Sequence, residues 1–306
     1  MNGGSLTVIK IGGSFLTSHQ AMFDIAKLAR EKRGAVFVLS AFRGITDRLV
    51  SGYGFDAEGR EAILREVLTY HSNLIQNAIP STSQKTWALE ILRELGPEYY
   101  GYGRFTEFAR NADYDSYLAM GEKLAAAVVS LFLVSVGIKC RSVTPDRLGI
   151  TVHDNSGNAL IDIRRSHTKA FPVIEKLLES GYVPITTGFF GIDDDGRIRI
   201  LGRNSSDYSA IALGAVLKTG EVLLLKDVPG IYSHDPKLLK AGGQHFSHIS
   251  YDKALEICNS GARIIHPMAI ITARQHGIPI RIMKYGDSSD GTLVTFTDPD
   301  GTAFPL

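Results

Sequence analysis

The chain has 306 residues, a formal net charge of +1 and 44% hydrophobic residues, so it can bury a large core as one large domain or as two lobes. The near-neutral charge gives no general argument for binding nucleic acid or a membrane surface. The two cysteines exclude a disulfide scaffold and fit a reducing compartment, and with no signal pattern and no uninterrupted apolar run of about 18 residues we expect a cytoplasmic protein.

The first predicted strand, residues 5–11, ends in a lysine and two glycines, Lys10, Gly12 and Gly13. Glycines let backbone N–H groups approach an anion closely, and a lysine adds a positive charge that stabilises a phosphoryl group during transfer. The spacing is not that of a Walker A loop. A Gly-Gly pair after a strand is also typical of a simple turn, and this motif alone leaves both interpretations open.

A helix at 20–33 and a strand at 35–40 follow, and the strand is apolar throughout. Apolar strands that alternate with helices favour a parallel sheet covered on both faces. The loop at 40–47 follows this strand, at the edge where open α/β sheets bind ligands. Alternatively, Thr46 or Asp47 only caps the next helix.

Residues 56–98 predict a helical insertion that covers the site or builds an interface, and 101–104 predict a flexible turn. A helix at 115–136 includes the longest apolar stretch, which fits a buried helix. It contains Gly121, and glycine inside a helix costs roughly 1 kcal/mol against alanine, which suggests that a ligand or another backbone approaches closely. Glu122 could pair with the ammonium group of a substrate, or it could be an ordinary surface glutamate.

The rest of the chain continues the alternation of strands and helices. The expected elements are strands at 138–143, 182–187, 221–226 and 280–282, hairpins turning at 155–158 and 193–196, helices at 170–180 and 267–275, and a last edge strand at 291–296.

Residues 200–212 predict a strand that stops at Gly202 and becomes a helix from about Ser205. A helix N-terminus exposes free N–H groups and partial positive charge, which suit a phosphate. Arg203 can hold a carboxylate or phosphate with two hydrogen bonds, and Asp207 could hold or organise Mg²⁺. The alternative is an ordinary capped helix, in which Asp207 only stabilises the helix dipole.

The strand at 221–226 leads into an irregular loop, where Asp227, Tyr232 and Lys237 could frame a purine and its phosphates. His266 precedes Pro267 at the start of a helix, which favours a structural role for this histidine. The sequence contains neither a zinc-type metal cluster nor a nucleophile elbow.

Taken together, the motifs resemble the catalytic domain of aspartokinases, within the amino acid kinase superfamily. The resemblance runs from Lys10 to Phe296 and rests on the following ordered motifs: Lys10-Ile11-Gly12-Gly13-Ser14; Leu39-Ser40-Ala41 with Gly44-Ile45-Thr46; Gly121-Glu122; Leu201-Gly202-Arg203 with Ser206-Asp207-Tyr208; and Asp227-Val228-Pro229-Gly230-Ile231-Tyr232 with Asp235-Pro236. It implies an α/β fold, a three-layer αβα sandwich with a mostly parallel central sheet, in which 1–200 form a lobe for the amino acid and 201–306 a lobe for the nucleotide.

The resemblance further implies ATP-dependent phosphorylation of the β-carboxylate of L-aspartate, with Mg²⁺, by a homodimer that uses neither nucleic acid nor membrane. The implied roles are: catalysis by Lys10 and Asp207, the latter acting on Mg²⁺ indirectly through the bound Mg-ATP; amino acid binding by Ser40, Thr46, Glu122 and Arg203; and nucleotide binding by Gly12, Gly13, Ser14, Lys226, Asp227, Tyr232, Lys237 and Arg263. A carboxylate attacks phosphorus without a general base, so positioning and charge neutralisation suffice.

The chain departs from the family pattern at several of these positions. Asn204 and Ser205 stand where the family usually has two glycines, and Lys226 stands where a threonine is common. Lys237 and Arg263 exchange the usual arginine and lysine, and Phe42-Arg43 adds bulk and charge to the substrate loop. The alternatives left open are a related kinase for another small acid, and a sensor that binds nucleotide or amino acid without turnover.

Aspartokinases often continue into paired ACT domains that bind lysine or threonine. Only ten residues follow Phe296. We therefore expect that added lysine or threonine leaves the activity unchanged, and a dose-dependent loss of rate would contradict this.

Overall fold

The computed structural model describes residues 6–93, 101–153, 159–202, 205–232, 245–260, 265–287 and 289–297. The strands are β1 (Thr7–Ile11), β2 (Ala35–Leu39), β3 (Cys140–Ser142), β4 (Val152–His153), β5 (Leu160–Ile161), β6 (Val183–Thr187), β7 (Phe190–Ile192), β8 (Ile198–Ile200), β9 (Glu221–Lys226), β10 (Ile231–Tyr232), β11 (His245–Phe246), β12 (His248–Ser250), β13 (Ile280–Lys284) and β14 (Thr292–Thr295). The helices are α1 (Gln20–Glu31), α2 (Ile45–Tyr53), α3 (Ala57–Ala78), α4 (Thr82–Arg93), α5 (Gly101–Asn111), α6 (Tyr114–Ser135), α7 (Pro145–Leu148), α8 (Ile163–Glu179), α9 (Ser206–Leu217), α10 (Tyr251–Asn259) and α11 (Pro267–His276).

One eight-stranded sheet organises the chain, with the strand order β12-β14-β13-β9-β1-β2-β6-β3. Neighbouring strands run parallel except at β13 and β14, which pair antiparallel. Strand β1 lies inside the sheet between β2 and β9, and its residue Lys10 is opposite Val38 on one side and Leu224 on the other. The predicted mostly parallel sheet is therefore confirmed.

Helices cover both faces of the sheet because its central strands are apolar on both sides. In β1, Ile9 and Ile11 face a core that includes residues of α1 and α6, whereas Val8 faces a second core that includes residues of α8, α9 and α11. All three side chains are fully buried. This arrangement confirms the three-layer αβα sandwich. The division into lobes at residue 200 stays a prediction, since strands from both parts share this one sheet.

Helix α6 is the longest buried element next to the site. Its N-cap is Asp113, whose side chain accepts a hydrogen bond from the N–H of Ser116. Among the described residues, only this helix is long and apolar enough to cross a membrane by length and composition, yet 78% of its apolar stretch is buried inside the protein. It is therefore placed as a core helix, as its sequence predicts.

Several elements differ from the sequence prediction. Helix α5 begins at Gly101, where a flexible turn was expected, and α8 begins at Ile163, before the predicted 170, because Asp162 caps it by accepting from the N–H of Arg165. Strand β14 is not an edge strand, since β12 pairs along its outer side. The helical insertion is confirmed as α3 and α4, whereas 94–98 and the turn at 155–158 lie outside the described residues.

Candidate active site

Three charged side chains meet at the carboxyl ends of β1 and β9. Lys10 Nζ lies 3.0 Å from Oδ1 of Asp207, in the first turn of α9, and Lys226 Nζ donates to the other oxygen, Oδ2, at 2.5 Å. Lys10 is opposite Leu224 in the sheet, so Lys226 lies two residues further along β9 and points to the same face. Lys10 and Asp207, to which the resemblance assigns catalysis, are thus in contact, and Lys226 joins them.

This cluster, Lys10, Asp207 and Lys226, is buried and carries a formal charge of +1. The side chains of Lys10, Asp207 and Lys226 are only 8%, 7% and 15% exposed. Burial lowers the pKa of Lys10, although the charge of Asp207 opposes this. Burial would raise the pKa of Asp207, but the two ammonium groups overcome it and lower that pKa to about 2. A surplus positive charge in a medium of low dielectric constant attracts an anion such as a phosphate.

The two glycines after β1 bring the backbone close to this cluster. A Cβ atom at Gly12 would lie 2.8 Å from Lys10 Nζ, and one at Gly13 would lie 3.2 Å from the carbonyl oxygen of Ala41. The turn is closed by the N–H groups of Phe15 and Leu16, which both donate to the carbonyl of Gly12. A side chain at Gly12 would therefore have to displace the end of Lys10, and one at Gly13 would be tight against the backbone.

We expect Gly12→Ala to reduce turnover, since the added methyl group must displace the amine of Lys10 from its position beside Asp207. A misplacement of about 1 Å can cost roughly 100-fold in rate. The measurement is kcat together with the melting temperature. The control is Gly54→Ala at the C-cap of α2, where φ is −71° and an added Cβ would lie 3.6 Å from the carbonyl oxygen of Ser51, an ordinary contact. Equal kcat for Gly12→Ala and the wild type would contradict the expectation.

Ser14, which the resemblance assigns to the nucleotide, lies in the same turn and is half-buried. Its carbonyl oxygen accepts a hydrogen bond from Arg43 Nη2 at 3.3 Å. The turn after β1 and the loop after β2 are therefore joined to each other as well as to the sheet. Phe42 is buried in the core, so its bulk does not fill the site.

Glu122 is a buried carboxylate directed at the loop after β2. It is 2% exposed, its Oε1 accepts from the N–H of Ala41 at 3.3 Å, and its Oε2 has no hydrogen-bond partner among the described residues. Burial raises the pKa of Glu122 to about 8, against the opposing effect of the Ala41 N–H. The interpretation as a surface glutamate is therefore wrong. A carboxylate with one open oxygen in a buried site is suited to a cationic partner.

Gly121 allows this carboxylate to come close to the loop. A Cβ at Gly121 would lie 3.1 Å from Cγ2 of Ile45 and 3.3 Å from Cβ of Ala41. The close approach expected from a glycine within a helix is thus observed, and the approaching groups are side chains of the 41–45 segment. Ser40, at the start of this loop, is buried and its N–H donates to the carbonyl of Ile11.

Thr46 lies in the first turn of α2 and is half-buried. The N-cap of this helix is Gly44, with a φ of +83° and no side-chain cap. Neither Thr46 nor Asp47 therefore occupies the N-cap position of this helix. The hydroxyl of Thr46 stays a predicted contact to the substrate.

A strained loop holds the N-terminus of α9 against the sheet. Phe189, between β6 and β7, is buried with a φ of +78°, a conformation that costs energy for a residue with a side chain. Its N–H donates to Ser209 Oγ at 2.9 Å, and a Cβ at Gly188 would lie 3.1 Å from Cα of Ser206. The sequence indicates only a permissive loop at 188–191, whereas the structure shows that this loop fixes the helix that carries Asp207.

The candidate nucleotide residues lie in the irregular loop that follows β9. Asp227 is exposed and Tyr232 is half-buried, with its ring 5.0 Å from that of His245. Thr292 Oγ1 accepts from the N–H of Ile231 at 2.8 Å and so anchors this loop to β14. The remaining predicted residues, Arg203, Lys237 and Arg263, lie outside the described residues, as do Asn204 and the loop at 233–244.

His266 is the N-cap of α11, and its Nδ1 accepts a hydrogen bond from the N–H of Met268 at 3.2 Å. Proline follows at the first helical position, where its missing N–H is not needed. The structural role that the sequence favours for His266 is consistent with this geometry.

The described residues contain no group of three or more His, Cys, Asp or Glu side chains that could hold a metal ion. Both oxygens of Asp207 are directed at lysine amines, and the local charge is positive. The described residues supply positive charge at this site through the two lysines.

The fold and the site define an α/β protein with a buried cationic site at the carboxyl ends of its central strands, the place where such sheets bind ligands. The chain belongs to the amino acid kinase family, whose family model matches residues 5–284.

Aspartokinases are among its relatives, which confirms the resemblance inferred from the sequence motifs. The aspartokinase of Geobacillus stearothermophilus is 34% identical over 180 residues, covering 59% of this chain and 43% of the relative. Aspartokinase 3 of Arabidopsis thaliana chloroplasts is 29% identical over 94% of this chain and 52% of the relative. The chain spans about half the length of the curated relatives it matches.

Solved structures show the same similarity. E. coli aspartokinase III in complex with aspartate and ADP superposes with a TM-score of 0.79 at 28% identity, covering 95% of this chain and 64% of that chain. UMP kinase from Ureaplasma parvum, with a TM-score of 0.50 at 16% identity over 95% of this chain and 98% of that chain, shares the fold only.

Proposed function

We propose that the chain transfers the terminal phosphoryl group of ATP to the β-carboxylate of L-aspartate, giving 4-phospho-L-aspartate. One observation carries the proposal: Ala41 joins the phosphate side of the site to the amino acid side. Its carbonyl oxygen packs against Gly13 in the turn beside Lys10, and its N–H binds the buried carboxylate of Glu122. A molecule with an ammonium group at Glu122 thereby has its other end near the cationic cluster.

Phosphoryl transfer to a carboxylate requires mainly that the protein position the substrates and neutralise negative charge. In phosphoryl transfer, negative charge is spread over the transferred group, and preorganised cations stabilise it. Lys10 and Lys226 are held by Asp207, so their amines are already oriented before substrate arrives. The acceptor carboxylate is its own nucleophile and needs no base to remove a proton. The similarity to an aspartokinase solved with aspartate and ADP supports both substrates.

A panel of acceptors tests the proposal. With ATP and Mg²⁺, we expect ADP release and an acyl phosphate, trapped as a hydroxamate by hydroxylamine, for L-aspartate. N-acetyl-L-aspartate, which has the same carboxylates but no ammonium group, should react at least 100-fold more slowly, because Glu122 would then be buried beside a neutral amide. Preference for N-acetyl-L-glutamate, carbamate or a phosphate monoester would instead identify a related kinase.

A sensor without turnover is the other candidate, and calorimetry separates it from a kinase. Saturable binding of ATP and L-aspartate with no ADP release would favour the sensor. Lys10 and Asp207, the two residues assigned to catalysis, are both present and in contact, which supports turnover. A homodimer, a cytoplasmic location, the use of Mg²⁺ and insensitivity to lysine and threonine stay predictions.

The pH dependence of aspartate binding is expected to report Glu122. Its pKa is about 8 without substrate, and only the ionised carboxylate binds an ammonium group. Below that pH a proton must leave on binding, so KM for L-aspartate should fall roughly tenfold for each unit of pH from about 6 to 8 and then level off.

Glu122→Gln provides the comparison for this profile. It should raise KM and make it nearly independent of pH, whereas Glu256→Gln, at a side chain that is 70% exposed, should behave like the wild type. The same pH dependence of KM in the Glu122→Gln variant would show that another group is responsible.

A further inference from the structure

The loop after β2 carries one large aromatic side chain, Phe42, which is only 1% exposed. The residue before it, Ala41, donates its N–H to the buried carboxylate of Glu122. The residue after it, Arg43, donates its N–H to the carbonyl of Leu16 in the turn that follows β1, at 2.9 Å. The position of Phe42 therefore affects the backbone contacts on both sides of it, on the amino acid side and on the phosphate side of the site.

Helix α3 holds the Phe42 ring between two aromatic side chains. The centroid of this ring lies 5.6 Å from that of His71, with the ring planes at 82°, and 6.0 Å from that of Tyr70, with the planes at 67°. Tyr70 and His71 also meet edge to face, at 5.4 Å. Aromatic pairs prefer such contacts, with centroids about 4.5–7 Å apart. Phe42, Tyr70 and His71 thus form one packed group, the aromatic trio.

His71 is fixed in orientation and uncharged. Its side chain is fully buried, and its Nδ1 is 2.7 Å from the carbonyl oxygen of Val67, one helical turn earlier. A carbonyl only accepts, so Nδ1 donates and carries the proton. Burial lowers the pKa of His71 to about 4, so the ring stays neutral at physiological pH. The hydrogen bond to Val67 sets the plane of the ring, and its edge is thereby presented to Phe42.

We propose that His71, together with Tyr70, is a positioning residue for the amino acid subsite. Through Phe42 it fixes the amide of Ala41, and this amide orients the carboxylate of Glu122 toward the substrate ammonium group. The inference rests on the proposed function for the identity of that substrate. It also accounts for one departure from the family pattern, because the bulk of Phe42 is taken up by the aromatic trio.

Hydrogen exchange tests the coupling without any substrate. Exchange at the Ala41 amide is followed by NMR in the full chain. His71→Leu removes the ring edge that contacts Phe42, and we expect this amide to exchange about fivefold faster or more, because the segment opens more often.

Ile63→Val is the matched control for this measurement. Ile63 is a buried residue of the same helix that packs against Gly52 of α2. It lies eight residues before His71, which is about 12 Å along the helix axis. The Ile63→Val variant should leave exchange at the Ala41 amide unchanged.

Kinetics with L-aspartate test the consequence for recognition. His71→Leu and Tyr70→Leu should each raise KM for L-aspartate about three- to tenfold and change kcat less than about twofold, since a displaced Glu122 weakens binding and leaves Lys10 in place. His71→Phe keeps an aromatic ring at this position and should return KM to within about twofold of the wild type. Tyr70→Leu, at a half-buried side chain, carries the test if His71→Leu does not fold.

A double variant shows whether His71 acts through Phe42. His71→Leu combined with Phe42→Leu should raise KM no further than the larger of the two single changes, because residues that act through one contact are not additive. Multiplied effects on KM would overturn the proposal.

A lower melting temperature of His71→Leu, with KM and Ala41 exchange as in the wild type, would also overturn it and leave His71 as a residue of the core only. If the wild type does not phosphorylate L-aspartate, the proposed function fails. The exchange experiment still decides the coupling in that case, because it uses no substrate.

Discussion

Replacing Lys10 by alanine is expected to lower kcat for aspartate phosphorylation by about 100- to 1,000-fold, the range seen when one preorganised charge-stabilising group is removed. The amine of Lys10 is buried beside Asp207, so its removal takes one of the two positive charges away from the cluster. The effect should appear in kcat more than in KM, because the charge that Lys10 neutralises grows during transfer.

The fold should survive this change. Asp207 keeps its hydrogen bond to Lys226, so the carboxylate is not left as a buried charge without a partner. The melting temperature and circular dichroism check this point. Lys27→Ala is the matched control, since that lysine side chain is 69% exposed on α1. Turnover close to the wild-type rate in Lys10→Ala would rule out the mechanism proposed for the cluster.

Replacing Asp207 by asparagine is expected to lower both activity and stability, whereas Lys10→Ala lowers activity alone. Two buried ammonium groups would then face each other without a counter-charge, and breaking such a pair typically costs about 3–5 kcal/mol. We expect the free energy of unfolding in urea to fall by about 3 kcal/mol at neutral pH. Asp195→Asn, at a side chain that is 72% exposed, should change it by less than about 0.5 kcal/mol.

A double variant identifies the cause of this loss. Asp207→Asn combined with Lys226→Met removes one of the two unpaired charges, and it should recover a large part of the lost stability without recovering turnover. Non-additive energies are expected for residues that share a contact. If Lys226→Met destabilises the Asp207→Asn protein further, charge repulsion does not explain the loss.

Lys226 is where the structure adds most to the sequence. The family commonly has a threonine at this position, and the sequence places the lysine only among the candidate nucleotide residues. In the structure its amine is the second partner of Asp207. This pairing depends on β9 lying beside β1, and the order of strands in a sheet is not encoded in the local pattern of either strand. A lysine at the end of a buried strand was the available signal.

The sequence predicts the elements well where local chemistry determines them. Glycines predict the turn after β1, and capping residues predict the start of α9. Continuous apolar runs predict the buried strands. The sequence predicts helix boundaries and strand positions less well where tertiary contacts determine them. The first turn of α5 starts at Gly101, against the intrinsic preference of glycine, and β14 becomes an inner strand only because β12 pairs with it.

Glu122 and Phe189 show the same limit within the site. A charged glutamate is expected at the surface when its type alone is considered, and its burial follows from the close packing of the 41–45 segment against Gly121. The left-handed conformation of Phe189 has no local signature, because the hydrogen bond to Ser209 that supports it spans twenty residues.

The opposed faces of α6 matter for anyone who wishes to redesign this protein. One face borders a cavity of about 610 Å³ between α4, α6, β3 and α7, and the other carries Glu122, which would recognise the amino acid. Met120, Leu124, Ala127 and Leu131 are themselves buried in the core, so a mutant library at these positions would also change the packing of the helix that carries Glu122. Redesign of either face therefore has to conserve the volume of the core.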